Sequence, residues 1–269
     1  SCVMTIALVV VLCFGVNVAG GLDAVVQNAQ TLPGYLAMNA SYDAASNAAV
    51  PYGPLTIVST LAWGLGYFGM PHILLRFMAI ENEQKLTTSR RVATVWVVIS
   101  MFIAVLIGRV GLGMTNVGAL PVLDGSASET VIVQISSLMA EHGVLLALAA
   151  GVTLAGILAA TMSTADSQLL AASSSVSKDL MWGVFKVKMT EKQSMLIARS
   201  TLLVIAAIAI ILARDPDSSV FKIVSFAWAG FGAAFGPVVL FALFWKRANK
   251  WGALCGMISG GVLVFVWKF

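Results

Sequence analysis

The chain has 269 residues, of which 59% are hydrophobic and 10% charged, with a mean hydropathy of +0.94 and a formal charge of +4. Soluble domains carry roughly 25% charged residues, and a globule of this length has too little interior to hide so much apolar surface. Disordered, collagenous and disulfide-scaffold chains are excluded by the same composition, which leaves a chain dissolved in lipid.

Crossing the hydrocarbon layer takes about 20 apolar residues in a helix. In chain order, the stretches that meet this are Cys2–Leu22, Pro54–Ile80, Val92–Val117, Gly143–Ala172, Leu196–Ala213, Ser219–Trp245 and Trp251–Trp267. Backbone polar groups in lipid must be satisfied within the chain, and the short alternating segments of a strand barrel are absent, so all seven read as helices. The expected fold is an all-α, polytopic membrane protein with about seven transmembrane helices. Between the third and fourth spans, Ser128–Met139 is too short to cross. Its Ser128-Glu129 opening resembles a capping box, and the segment reads as a helix lying on the outer surface of the bundle.

The basic residues set the orientation. Loops 23–53 and 118–142 contain no Lys or Arg, but they hold Asp23, Asp43, Asp124, Glu129 and Glu141. The opposite loops hold Lys85, Arg90 and Arg91, then Lys178, Lys186, Lys188 and Lys192, then Lys246, Arg247 and Lys250. This is the positive-inside asymmetry. The basic excess is therefore a topology signal, and no nucleic-acid partner is expected. Cys2, Cys13 and Cys255 lie in apolar stretches without metal-ligand spacing and read as small core residues. His72 and His142 are too few for a His-rich metal site. The chain opens at Ser1 directly before an apolar run and stops at Phe269 directly after another. It reads as a single transmembrane domain over residues 1–269, incomplete at both ends, with no signal peptide.

The second span contains Trp63-Gly64-Leu65-Gly66-Tyr67-Phe68-Gly69-Met70-Pro71-His72. Glycines and a proline at this density are costly in a helix. Irregular backbone at membrane depth survives only where protein buries it or a wet cavity faces it. A broken helix there exposes amides and carbonyls able to bind ions and small zwitterions. Trp63, Tyr67 and Pro71 recur every four residues and share a face for as long as the helix persists, a surface suited to a small apolar ring. The alternative is a kinked helix whose glycines only permit close packing.

The fourth span carries Ala160-Thr161-Met162-Ser163-Thr164-Ala165-Asp166-Ser167. Ser163, Thr164 and Ser167 fall on one stripe with Ala160. Hydroxyl and carbonyl oxygens are neutral hard donors suited to an alkali cation, whereas a Ca²⁺ site gathers carboxylates. Against this stands the ordinary use of such hydroxyls, bonding one turn back or knitting helices. Asp166 is costly inside a span: it serves a cavity, a cation or a proton, or it sits in water near the cytoplasmic end of a long helix. Arg76 and Arg109 read as interfacial anchors. In the sixth span the pairs Gly230/Ala234 and Gly232/Gly236 read as a packing device, with Pro237 as a candidate hinge and no ligand assigned. Walker, HExxH and dinucleotide motifs are absent and no nucleophile–base pair lies at membrane depth, so an enzyme is not expected.

The segments WGLGYFGMPHILLRFMAI, ILAATMSTADSQLL and SFAWAGFGAAFGPVVLF strongly resemble the sodium/solute symporter family, and most closely its proline carriers. The resemblance runs over almost the whole chain. It implies part of a LeuT-like five-plus-five inverted repeat in which the first span is the fifth core helix, the broken span the sixth and the hydroxyl-bearing span the eighth. It further implies Na⁺ as the coupling ion, held by the Ala160 carbonyl and the Ser163 and Thr164 hydroxyls, with no organic cofactor. Trp63, Tyr67 and Pro71 would contact the substrate. Met70 replaces the Gln that usually precedes the Pro-His pair, and Asp166 stands where some proline carriers have Ser, which makes it a second candidate cation contact. The first core helices, which supply the rest of the sodium site, are missing from this chain. The expectation is a multi-pass symporter of the plasma (inner) membrane, taking up proline or a similar small amino acid. The alternatives are a symporter for another organic solute and a transporter-like sensor domain of a signalling protein.

Overall fold

The structure, a computed structural model, describes residues 2–43, 46–214 and 219–268. Helices dominate the chain, and it divides into two compact units, residues 1–62 with 81–160 and residues 63–80 with 161–269.

The first unit opens with α1 (Cys2–Val18) and α2 (Leu22–Gln30). Between them Gly20 and Gly21 take φ of +91° and +101°, a backbone that residues with a Cβ rarely adopt, and the two helices meet at 77°. Within the first apolar stretch the helix is α1 alone, which ends at Val18; α2 begins at the stretch's last residue and continues beyond it. A small antiparallel hairpin follows, β1 (Ala40–Asp43) with β2 (Ala48–Pro51), pairing Ala40 with Pro51 and Asp43 with Ala48. The apolar pattern of the spans gave no sign of it. The helix α3 (Pro54–Gly66) begins in this unit.

The longest single α-helix is α5 (Glu83–Asn116), preceded by α4 (Pro71–Met78). Its 34 residues rise about 51 Å, enough to cross the bilayer with its headgroup layers. The Asn82 side chain caps its start by accepting from the Gln84 amide at 3.0 Å. The core of the unit gathers Leu8 and Val11 of α1, Val25 of α2, Ile103, Ile107, Val110 and Met114 of α5, and Ile135 and Met139 of α6 (Val131–Ala140). Close approach needs glycine at Gly15, where a Cβ would lie 2.5 Å from Val110 Cγ1. The helix α6 is a short helix where the sequence predicts one, but its start differs. Ser128 lies in a 3₁₀ turn over Gly125–Thr130 and donates to the Gly125 carbonyl at 2.7 Å, and α6 begins at Val131 without a side-chain cap.

In the second unit, α7 (Val144–Ser174), which starts in the first, continues as a π-helix over Ser175–Val184. There follow α8 (Glu191–Leu212), α9 (Val220–Phe244) and α10 (Lys250–Lys268). A complete capping box starts α8: the Gln193 amide donates to Thr190 Oγ1 at 3.4 Å and the Thr190 amide to Gln193 Oε1 at 3.0 Å. The helix α9 runs unbroken through Pro237. It packs on α10, with Phe226 edge-on to Phe265 at 5.5 Å and Gly260 lying so close to the Ala233 carbonyl that a Cβ there would collide.

Among the described residues, five helices are long and apolar enough to cross a membrane (α5, α7 with its continuation, α8, α9 and α10), or six if the bent α1–α2 pair is one span. The remaining expected span is the broken one, α3 and α4, whose pieces of 13 and 8 residues are each too short alone. The chain is thus a polytopic helical membrane protein. The helix α8 is strongly apolar and has no buried residue. Cys13 and Cys255 are exposed on their helices and not in the core.

Candidate functional site

The second apolar span breaks as its composition predicts. The helix α3 ends at Gly66, Tyr67–Gly69 form a single 3₁₀ turn, Met70 is extended (φ −84°, ψ 109°), and Pro71 opens α4 at a position where its missing amide costs nothing. The last four carbonyls of a helix have no partner within it, and in a bilayer water does not supply one. Just before them, in the last turn of α3, the Trp63 carbonyl accepts Nε1–H from the Trp228 indole on α9 at 2.9 Å.

The same indole organises an aromatic cluster. Trp228 stacks on Trp63 with centroids 5.8 Å apart and meets Tyr67 edge-on at 4.8 Å, and Phe221 stacks on Trp63 at 5.7 Å. Glycines on both sides make this approach possible. A Cβ on Gly66 would overlap the Trp228 ring, one on Gly69 would overlap the Phe231 carbonyl, and one on Gly232 would lie 2.9 Å from Gly66 Cα. Gly236 approaches the Leu65 carbonyl at 3.3 Å by the same measure. Of the two small-residue pairs read from the sequence, Gly232/Gly236 packs against the break, whereas Gly230 faces open space.

Trp63 and Tyr67 remain 36% and 51% exposed, so their rings still offer a surface to a ligand. Pro71 stands on the far side of extended Met70, at the head of α4, and so does not continue one helical face with them. The three positions flank the break, two before it or within it and one after it.

The hydroxyl stripe lies on α7. Ala160, Ser163, Thr164 and Asp166 are exposed and Ser167 is half-buried. Ser167 Oγ donates to the Ser163 carbonyl at 2.9 Å and accepts from Arg76 Nη2 at 3.2 Å. Arg76 is therefore more than an interfacial anchor: it ties α4, the second half of the broken span, to the stripe. Arg109 is half-buried in the first unit, with its guanidinium 5.9 Å from the Tyr35 ring centroid, and its Nε is buried without a hydrogen-bond partner among the described residues. Among the described residues no group of three or more His, Cys, Asp or Glu is gathered as for a metal ion. The oxygens available on the stripe are alcohols, carbonyls and one carboxylate.

Trp228, Phe221 and Arg76 complete this arrangement, and none was assigned to it from sequence. A signal existed for the first: an indole N–H at membrane depth needs an acceptor.

Residues 1–260 match the profile described as "Sodium:solute symporter family". The chain is 44% identical over 221 residues to the sodium/proline symporter of Haemophilus influenzae, an alignment covering 80% of this chain and 42% of that protein. It is 41% identical over 213 residues to the high-affinity proline transporter PutP of Bacillus subtilis, covering 79% and 43%. It is also 41% identical over 217 residues to the sodium/proline symporter of Escherichia coli, covering 80% and 42%. The matched region spans about 42% of the length of such relatives. No solved structure matches the chain.

Proposed function

The chain belongs to the sodium:solute symporter family, and on that premise we propose that it forms part of a sodium-coupled symporter that takes up proline, or a similar small amino acid, across the plasma membrane. Residues 1–269 would contribute one transmembrane transporter domain, with part of a five-plus-five inverted repeat. The observation that carries the reading is the break at Tyr67–Met70, which frees backbone groups at membrane depth beside a half-exposed aromatic surface.

A small cyclic amino acid needs an apolar surface for its ring and polar partners for its charged ends. Trp63 and Tyr67 offer the first, with the Tyr hydroxyl as a polar handle. Pro71 keeps α4 from closing back onto α3, which leaves the backbone between them able to meet the charges. Na⁺ would be held by the Ala160 carbonyl and the Ser163 and Thr164 hydroxyls, with the remaining ligands supplied from outside this chain. Asp166, two and three residues further along α7, would be a second cation contact. Arg76 reaches Ser167 from α4, so a change at the stripe is passed to one half of the broken span. Coupling then requires only that Na⁺ and substrate both bind the outward-open state better than the inward-open one, each raising the affinity for the other.

The test is uptake of labelled proline into proteoliposomes holding the protein expressed from its complete open reading frame. Uptake driven by an inward Na⁺ gradient, and abolished when K⁺ replaces Na⁺, is expected. Competition by a panel of amino acids identifies the preferred solute, which matters because Met70 departs from the usual proline-carrier sequence. Uptake indifferent to Na⁺ would exclude the reading.

A further inference from the structure

A cavity of about 530 Å³ lies between α9 and α10, at the end where a short turn joins them. Small-molecule sites fall in the same range, roughly 300–1,000 Å³. Pro237, Val238, Phe241 and Ala242 of α9 form one wall, Ala253 and Gly256 of α10 another, and Trp245, Arg247 and Lys250 stand at the joining turn. Gly256 lets α10 come close to α9 beside the cavity: a Cβ there would lie 3.3 Å from Val238 Cγ2.

Apolar walls alone would suit any greasy occupant, and the charge at the turn narrows the choice. Lys246, Arg247 and Lys250 fall within five residues, and the sequence from 218 to 269 contains no Asp or Glu to neutralise them. Lys250 is held with its ammonium 5.2 Å from the Trp251 ring centroid, and Phe241 packs against Trp245 at 5.1 Å, which puts an aromatic layer beside the cations. Aromatic rings next to Lys and Arg at a helix end mark the level of the lipid headgroups. The distribution of basic residues along the chain assigns this turn to the cytoplasmic face, the side that carries anionic lipid.

We propose that this cavity binds an anionic phospholipid, with Arg247 and Lys250 on the phosphate and an acyl chain along Pro237, Val238, Phe241 and Gly256. The inference is independent of the transported solute.

The protein from the complete open reading frame would be reconstituted with phosphatidylglycerol or phosphatidylcholine and examined by native mass spectrometry and thermal unfolding. Retained phosphatidylglycerol, and a higher unfolding midpoint in it than in phosphatidylcholine, are expected. Each charge removed should weaken retention roughly fivefold, so Arg247→Gln with Lys250→Gln abolishes the difference between the two lipids. Exchanging the cations as Arg247→Lys with Lys250→Arg restores it. Ala253→Trp, which fills the cavity and leaves the charges, should also lose the lipid. Equal retention by the double Gln variant would overturn the proposal. So would cross-linking of a photoreactive probe at Ala253→Cys to another protein segment instead of to lipid.

Discussion

Trp228 donates its indole N–H to the Trp63 carbonyl across 2.9 Å, joining α9 to the last turn of the helix that precedes the break in the second span. The contact also holds the Trp63 ring parallel to the indole, which sets the orientation of the surface proposed to receive substrate.

Trp228→Phe keeps an aromatic ring but removes the donor. Interhelical hydrogen bonds in membranes average about 0.6 kcal/mol and reach about 1.7, so the KM for substrate should rise roughly three- to fifteenfold. Expression should stay near that of the parent. Initial uptake rates over a range of substrate concentrations check this, and an unchanged KM would show that the bond does not orient the site.

Gly66→Ala puts a methyl group into the Trp228 ring, and Gly232→Ala puts one against Gly66. Overpacking of this kind costs about 1–3 kcal/mol. Both variants should unfold at distinctly lower temperature in detergent, whereas Gly230→Ala, which faces open space, should stay within about 0.5 kcal/mol of the parent. Thermal unfolding of the three variants side by side separates a packing requirement from mere helix propensity.

Ser163→Ala and Thr164→Ala each delete one proposed sodium ligand from exposed positions on α7. The Na⁺ concentration giving half-maximal uptake should rise by about tenfold or more in each, with expression little changed, since neither side chain is buried. Sodium dependence that stays the same in both variants would remove the site. Asp166→Asn tests the second contact by the same measurement, with a smaller rise expected.

Arg76 and Ser167 should behave as a coupled pair. In a double-mutant cycle built from Arg76→Gln and Ser167→Ala, the two losses in stability should fail to add by about 0.5–1.5 kcal/mol. Additive losses would mean that the 3.2 Å contact contributes no binding between α4 and α7.

The helices were legible in the sequence because a backbone in lipid must satisfy itself locally, so length and apolarity suffice. The break was legible too: Gly64, Gly66, Gly69 and Pro71 cannot all sit in an uninterrupted helix without cost. The 77° bend was harder to see. Gly20-Gly21 marks it, but a glycine pair in an apolar run is equally compatible with a continuous span, and only the positive φ values distinguish the two. Ser128 shows the opposite failure. Its spacing fits a cap, yet the 3₁₀ turn it occupies engages its hydroxyl with Gly125.

By itself the sequence determined that the protein is a helical membrane protein, most of the segments long and apolar enough to cross, and where one of them breaks, since each of these follows from the transfer of a local segment into hydrocarbon. Tertiary structure decided the partners: Trp228 for the Trp63 carbonyl, Arg76 for Ser167, Gly232 against Gly66 and Gly260 against Ala233. Lipid and neighbouring helix are equally apolar, so hydrophobicity does not tell a packed face from a lipid-facing one. What separates them is the fit of small residues and the pairing of a few polar atoms far apart in the chain, and those exist only once the helices have met.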